Sequence, residues 1–405
     1  VSRADARLRM LALGSFALGT SGFVVAGILP TIAGDLDVPL ADAGRLLSLF
    51  ALVYGTAALV LGPLAARFDR RTVLVVGMAG FTVAHLVAAV APDMGVLLGA
   101  RIAAAVFAGL YSPTAMGVAV ALSPPEERGR AVAAVLSGMT VAMVLGVPLG
   151  SLLGGLGSWR STFVAVAVLG AAATVGLARL LPRLPVAPAA AAPTGRPAGW
   201  VRSAVPLNLL AVFSWQLAMF VPFTFLAEVL SVFAGLDATA ISALLLVYGG
   251  FAYLGNRSGG RAADRHGGTA TVLAMLGALL LALTCLALLP QLPAPWRVPV
   301  AVGALALWGW AGWGIVPAQM SRLVRFVPSA AQTVLSLNTA VVYWGIAAGA
   351  WVGGVVLEGY GLAALSRVGA AVVAVVLVLL AAGTWAAAAR PAPATAPPAG
   401  EALTR

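Results

Sequence analysis

The sequence predicts an all-α integral membrane fold, with twelve transmembrane helices in two pseudo-symmetric six-helix halves. Three observations predict it. Residues are 61% hydrophobic and only 9% charged, whereas soluble domains carry roughly 25% charge. Apolar runs long enough to cross a bilayer, about 20 residues each, recur along the whole chain. Basic residues gather in every second connection, the pattern expected of loops on one side of a membrane.

The apolar periods place spans at 8–33, 43–66, 72–91, 95–122, 131–153, 161–181, 204–233, 240–258, 269–289, 298–321, 332–356 and 363–388. The first follows Arg3, Arg7 and Arg9, as a signal peptide would. It is longer than a signal core of about 7–15 residues and reads as a retained span. Connections are short except 182–203, whose dense proline and alanine argue against a packed element. The chain thus divides into 1–181, a cytoplasmic linker at 182–203, 204–389, and a disordered cytoplasmic tail at 390–405.

The net charge of +11 comes from arginine alone, since the chain has no lysine. Nearly all of it lies on the side shared by both termini and the linker, which assigns that side to the cytoplasm. The excess charge is therefore a topology signal, and no nucleic-acid partner is expected. A single cysteine, Cys285, and two distant histidines, His85 and His266, leave no disulfide and no metal-ligand spacing. No nucleotide-binding loop appears, and no paired carboxylates lie within spans. These absences argue against an enzyme and predict no cofactor. Abundant alanine and arginine without lysine point to a GC-rich bacterial gene, and so to the plasma (inner) membrane.

The halves repeat. Gly146, Gly150, Gly154 and Gly155 in the fifth span recur as Gly345, Gly349, Gly353 and Gly354 in the eleventh, at an offset of 199. Gly62 and Arg67 after the second span answer Gly260 and Arg265 after the eighth, at an offset of 198. Six spans per half give both repeats the same membrane orientation. In the fifth span Gly138, Ala142, Gly146, Gly150 and Gly154 recur every four residues, a small-residue face on which another helix can pack closely. Pro148 withholds a backbone donor there and can bend the helix.

The loop Gly260-x-x-x-Asp264-Arg265-x-Gly267 resembles the loop signature of the major facilitator superfamily. The stretch Gly146-x-Pro148-x-Gly150 with Gly154 and Gly155 is similar to the antiporter motif of its exporters. GTSGF at 19–23, AGILP at 26–30 and GSWRSTF at 157–163 resemble chloramphenicol-resistance and arabinose-efflux-type permeases among its twelve-span drug:proton antiporters. The resemblance covers essentially the whole chain. It implies a gating role for Asp264 and Arg265, and export in exchange for protons. The first-half loop keeps Gly62, Arg67, Arg70 and Arg71, but Ala66 stands at the acidic position and Asp69 at the second glycine. Relatives often carry a glutamate in the first span where this chain has Gly22, so no proton role carries over to that position.

Arg101, in the fourth span, reads either as a functional intramembrane charge or as a side chain snorkelling to the near interface. The family resemblance implies proton handling. Glu228 is the one carboxylate placed within a span, where low-dielectric surroundings favour its protonated form. Together they are the proton-coupling candidates. His85 reads as either a titrating group or a helix-packing side chain. Tyr111, Gln216, Tyr248, Asn338 and Tyr343 are polar positions within spans and hence cavity candidates. Trp308, Trp310 and Trp313 either line a cavity or pack against neighbours and lipid.

The function expected is secondary active transport: proton-coupled efflux of a small drug-like compound by alternating access, in a chain acting as a monomer. Export of a sugar or other metabolite, and a non-transporting sensor or scaffold, are the competing readings. The topology is directly testable. In a Cys285→Ser background, single cysteines near Asp35 and Asp93 should react with an impermeant thiol reagent on whole cells. Cysteines near Pro193 should not. External labelling at Pro193 would invert the assignment.

Overall fold

The computed structural model describes residues 3–65, 67–183, 205–326 and 331–388. Ala66, most of the linker and the 390–405 tail lie outside the described residues. In order, the helices are α1 (Arg3–Phe23), α2 (Val25–Asp35), α3 (Leu40–Ala43), α4 (Arg45–Ala65), α5 (Arg70–Ala89), α6 (Met94–Ala121), α7 (Arg128–Val141), α8 (Val147–Leu156), α9 (Trp159–Leu180), α10 (Val205–Phe223), α11 (Leu226–Ala234), α12 (Ala238–His266), α13 (Gly268–Leu288), α14 (Ala294–Phe326), α15 (Ala331–Tyr360) and α16 (Leu362–Ala388). No strand occurs among the described residues. Helices are what lipid demands, because each satisfies its own backbone donors and acceptors. Eleven helical segments are long and apolar enough to cross a bilayer, and α1 with α2 forms a twelfth span bent by 51°.

Four expectations change. The seventh span is not one helix to residue 233. It breaks at Thr224–Phe225 into α10 and α11, where Pro222 lacks the N–H of a regular turn and the Thr224 hydroxyl donates to the Phe220 carbonyl at 2.7 Å. The first span breaks at the corresponding place, Val24. The eighth span does not end at 258 in a loop. Helix α12 continues to His266 and stops at Gly267, whose φ of 85° suits a residue without Cβ. Gly260, Asp264 and Arg265 are therefore on the last turns of a helix, and only Gly267 is a turn residue. The fifth span is also interrupted. A single π-turn at Ala142–Gly146 separates α7 from α8, immediately before Pro148.

The glycine face of the fifth span lies against the first. A Cβ on Gly138 would meet the Ala12 carbonyl, one on Gly146 the Thr20 hydroxyl, one on Gly150 Val24, and one on Gly154 Ile28. Gly155 lies in α8. The eleventh span uses its glycines in the same way against the seventh: Gly345, Gly349 and Gly353 face the carbonyls of Phe213, Leu217 and Val221. The sequence repeat is thus a repeat of contacts.

The first six and last six spans meet along α4 with α15, and along α8 with α12. Tyr54 and Tyr343 pack with ring centroids 4.2 Å apart, and the Trp344 indole donates to the Thr56 hydroxyl at 3.1 Å. Toward the face opposite the linker, α2 packs on α11, and Val25, Ile28 and Ile32 share one buried cluster with Val221, Phe225 and Val229. That face is closed. Toward the linker face, Tyr253, Leu254 and Asn256 of α12 are exposed.

Replacing Gly150 by leucine would force a side chain into Val24 and Thr162. The cost of such overpacking is about 1–3 kcal/mol. Gly150→Leu should lower the melting temperature of the purified protein and suppress transport. Gly277→Leu, at a site with nothing within 4 Å, should do neither. A normal melting curve for Gly150→Leu would remove the close-contact argument.

Candidate functional site

The most tightly tied polar group inside the spans is Arg101. It lies two turns into α6 and is 0% exposed, so it does not snorkel. Its Nη1 donates to the Ser21 hydroxyl at 2.9 Å and to the Ser21 carbonyl at 3.1 Å. Its Nε donates to the Leu46 carbonyl at 3.5 Å, and the guanidinium sits 4.0 Å over the Phe50 ring. Its Nη2 has no hydrogen-bond partner. Gly22, which precedes the first-span break, faces the same Phe50 ring.

Ser21 passes the network to the third span. Its hydroxyl lies 2.8 Å from His85 Nε2, and His85 Nδ1 lies 2.8 Å from the Phe81 carbonyl. A carbonyl only accepts, so Nδ1 carries the proton. In the neutral ring Nε2 then accepts from Ser21, whose oxygen accepts from Arg101. The chain of donors runs Arg101, Ser21, His85, and joins the fourth, first and third spans. His85 is thus both buried and hydrogen-bonded. A lone histidine within an apolar run gave no sign in the sequence that serine and arginine would close on it.

Glu228 stands apart. It lies in the first turn of α11, half-buried, and forms no ion pair among the described residues.

A second cluster is aromatic and spans the junction of the halves. Phe23 of the first span packs against Phe220 at 5.9 Å and Trp313 at 6.3 Å. Behind them Phe223, Tyr248 and Trp308 contact one another edge-on or tilted, at 5.4 to 6.0 Å. The Trp313 indole donates to the Tyr248 hydroxyl at 3.1 Å, whereas the buried Trp308 indole has no partner among the described residues. Of the other polar candidates, Tyr111 donates to the Leu11 carbonyl at 2.9 Å and tethers α6 to α1. Gln216 accepts from its neighbour Trp215, Asn338 is buried with an unpartnered oxygen, and Tyr343 packs on Tyr54. Trp310 instead donates to Ser258, tying α14 to α12. The structure therefore brings only Tyr248 among the five into the aromatic cluster.

The loop signatures occupy the linker face. Asp69 caps α5 by accepting from the Thr72 backbone at 2.9 Å. Arg70 donates to the Gly117 carbonyl at 3.3 Å and Arg71 to that of Ala178, while Gly62 approaches Pro113 and Arg67 is exposed. Asp264 and Arg265 are both exposed, and Asp264 forms no ion pair among the described residues.

The fold is that of solved membrane transporters. The chain superposes on a D-xylose–proton symporter with TM-score 0.76 at 15% identity, covering 94% of this chain and 97% of that one. It also superposes on a bacterial homologue of the human lysosomal transporter Spinster, in an inward-facing unoccupied conformation, with TM-score 0.72 at 17% identity over 95% and 97%. A sequence profile described as Major Facilitator Superfamily matches residues 11–350, and the chain belongs to that superfamily of transporters rather than to an enzyme class. It is 31% identical to the MFS-type transporter YbcL of Bacillus subtilis over 90% of this chain and 92% of the relative. It is 41% identical to a chloramphenicol resistance protein of Streptomyces lividans over 68% and 70%. The inner membrane transport protein YdhP of Escherichia coli is 32% identical over 92% and 94%.

Asp264 is exposed in this arrangement, so the pairing that the loop signature implies is not formed here and would require the linker face to close. Asp264→Asn should shift the population toward the arrangement described here. Thiol reactivity of single cysteines should rise near the linker end of α12 and fall near Gly44. Unchanged reactivity at both positions would exclude a conformational lock at Asp264.

Proposed function

We propose that the chain exports a small, largely apolar compound across the plasma membrane in exchange for protons, as a monomer, by alternating access. In this reading the linker, both ends and the linker face are cytoplasmic. The units 1–181 and 204–389 rock against each other. The observation that carries it is the aromatic cluster where the halves meet. Phe23 from one half and Phe220, Phe223, Tyr248 and Trp308 from the other are buried against one another here, with Trp313 half-buried beside them; parting of the halves would expose their flat apolar faces and one indole donor that has no partner among the described residues. Such a surface holds a molecule by shape and apolar area, with few fixed polar contacts. The similarity to a chloramphenicol resistance protein supports a drug-like substrate.

Proton coupling needs a group that changes charge during the cycle. An arginine keeps its proton near neutral pH, so Arg101 serves by holding neighbours rather than by carrying the proton. Glu228 is the carboxylate candidate on the outer fragment of the seventh span.

Purified protein in liposomes, with labelled chloramphenicol as the probe, tests the reading. An imposed pH gradient should drive accumulation of the probe, and dissipating the gradient should reduce it to equilibration. Tyr248→Ala should raise KM by roughly two- to tenfold, since an aromatic contact contributes about 0.5–1.5 kcal/mol. Equilibration of the probe regardless of the gradient would defeat proton coupling. A Tyr248→Ala variant with unchanged KM would remove the aromatic cluster as the site.

A further inference from the structure

Proton coupling needs a titratable group whose charge is felt by something that moves. Four features of the structure converge on one such place. His85 is buried, and both ring nitrogens have partners. Its Nε2 is joined through one hydroxyl to a guanidinium that has no carboxylate partner among the described residues. That hydroxyl belongs to Ser21, in the last turn of α1, three residues before the break at Val24. Beyond the break, α2 forms part of the closed face against α11.

We propose that His85 Nε2 is a proton-binding site of the transport cycle, and that protonation there breaks the Ser21–Arg101 tie and frees the first span to move at its break. The proposal rests on the proton-coupled reading above. The step is a simple one. The Nε2 lone pair takes a proton that water relays from the solution on one face, as from hydronium, leaving neutral water behind, and imidazole becomes imidazolium. The Ser21 hydroxyl, until then the donor to Nε2, turns away and its oxygen accepts from Nε2–H instead. Two cationic donors, His85 and Arg101, then converge on one oxygen in a low-dielectric interior, where their repulsion is strong. The same repulsion weakens Arg101's second bond to Ser21, at the carbonyl, and Arg101 swings off Ser21 onto the Leu46 carbonyl and Phe50 ring of the second span, while His85 remains held at Nδ1 by Phe81. Release of the proton to water on the other face restores the starting network.

The surroundings of His85 contain few other charges. On α6 the facing charge is Arg101. On α1 it is met by the uncharged Ser21. On α9 it is met by Phe163, with ring centroids 6.1 Å apart. Beyond Phe163, Trp159 packs edge-on at 5.8 Å, and the Asp35–Arg160 ion pair lies past Trp159, which donates to Asp35 at 3.0 Å. The charges of α5 itself, Arg70 and Arg71, are at its far end. Arg101 is thus the nearest charge that protonation of His85 would disturb.

The chain has two histidines, so His266→Gln leaves His85 as the sole imidazole. Nitrogen-15 histidine labelling of that protein in lipid nanodiscs reports tautomer and protonation directly. The expected result is the neutral Nδ1–H tautomer at about pH 8, with imidazolium appearing in exchange with it as the pH is lowered to about 4. A neutral ring with one tautomer across that range would overturn the proposal. In liposomes, with chloramphenicol as the probe, His85→Gln should lose gradient-driven accumulation by roughly tenfold or more yet keep exchange across the membrane. His266→Gln should behave as wild type. Ser21→Ala keeps the imidazole and removes the link, and should move the pH optimum of transport by about one unit. It carries the test if His85→Gln does not insert. A His85→Gln variant driven like wild type, a Ser21→Ala variant with an unmoved optimum, or loss of coupling in Glu228→Gln alone would each remove His85. A wild type that ignores the gradient would instead defeat the coupled-efflux reading, while the labelled imidazole still reports its own titration.

Discussion

Helix-to-helix distance is the constraint on which this molecule depends. In lipid, spans gain nothing by hiding apolar surface from one another, so they associate through close van der Waals contact and the few polar bonds that closeness permits. Here closeness comes from residues without a side chain. The first span lies on the glycine face of the fifth, and the seventh on that of the eleventh. Gly255 and Gly259 of α12 meet the backbone of Trp310 and Gly314 in the same manner, and Gly109 of α6 meets that of Ala57 and Ala58. Only because α1 is held this near its neighbours can a serine hydroxyl bridge an arginine and a histidine from two other helices.

Much of this architecture was legible in the sequence, because the signals are local and periodic. Runs of about 20 apolar residues set the spans, and glycines at every fourth position marked the contact faces of α7, α8 and α15. What was not legible lies in side-chain bonds and packing rather than in hydropathy. The break at Thr224–Phe225 requires a hydroxyl to take the Phe220 carbonyl, which no hydropathy pattern announces. The extension of α12 through Asp264 was hidden by polarity, since a polar helix protruding from the bilayer has the composition of a loop. Arg101 could be singled out by charge alone, but its partners Ser21, Leu46 and Phe50 come from two other spans. Five polar positions looked equally suited to a cavity. Tyr111 turned out to tether two helices, a distinction made by where each side chain points rather than by its type.

The two halves are alike in scaffold and unlike in content. Contact glycines and span breaks recur at nearly constant offset, yet the buried polar network lies among the first six spans, and the tryptophan-rich cluster among the last six with a single ring, Phe23, contributed from across the junction. In the roles proposed above, an ionisable relay and an apolar recognition surface would place opposite demands on the local dielectric. Separating them between the halves lets each keep its own surroundings, with Phe23 and Ser21 two residues apart on the shared helix.

The paired breaks divide labour along the membrane normal. The short fragments α2 and α11, beyond the breaks, comprise 11 and 9 residues, and they rest against each other on the closed face. The long inner segments α1 and α10 are clamped over most of their length by glycine-lined neighbours. A cap made of two short, separately hinged pieces can part without dislodging the helices beneath it. Under the alternating-access reading proposed above, opening the closed face would take the tilting of only about three turns of helix per half, much as a pair of shutters swings on a fixed frame.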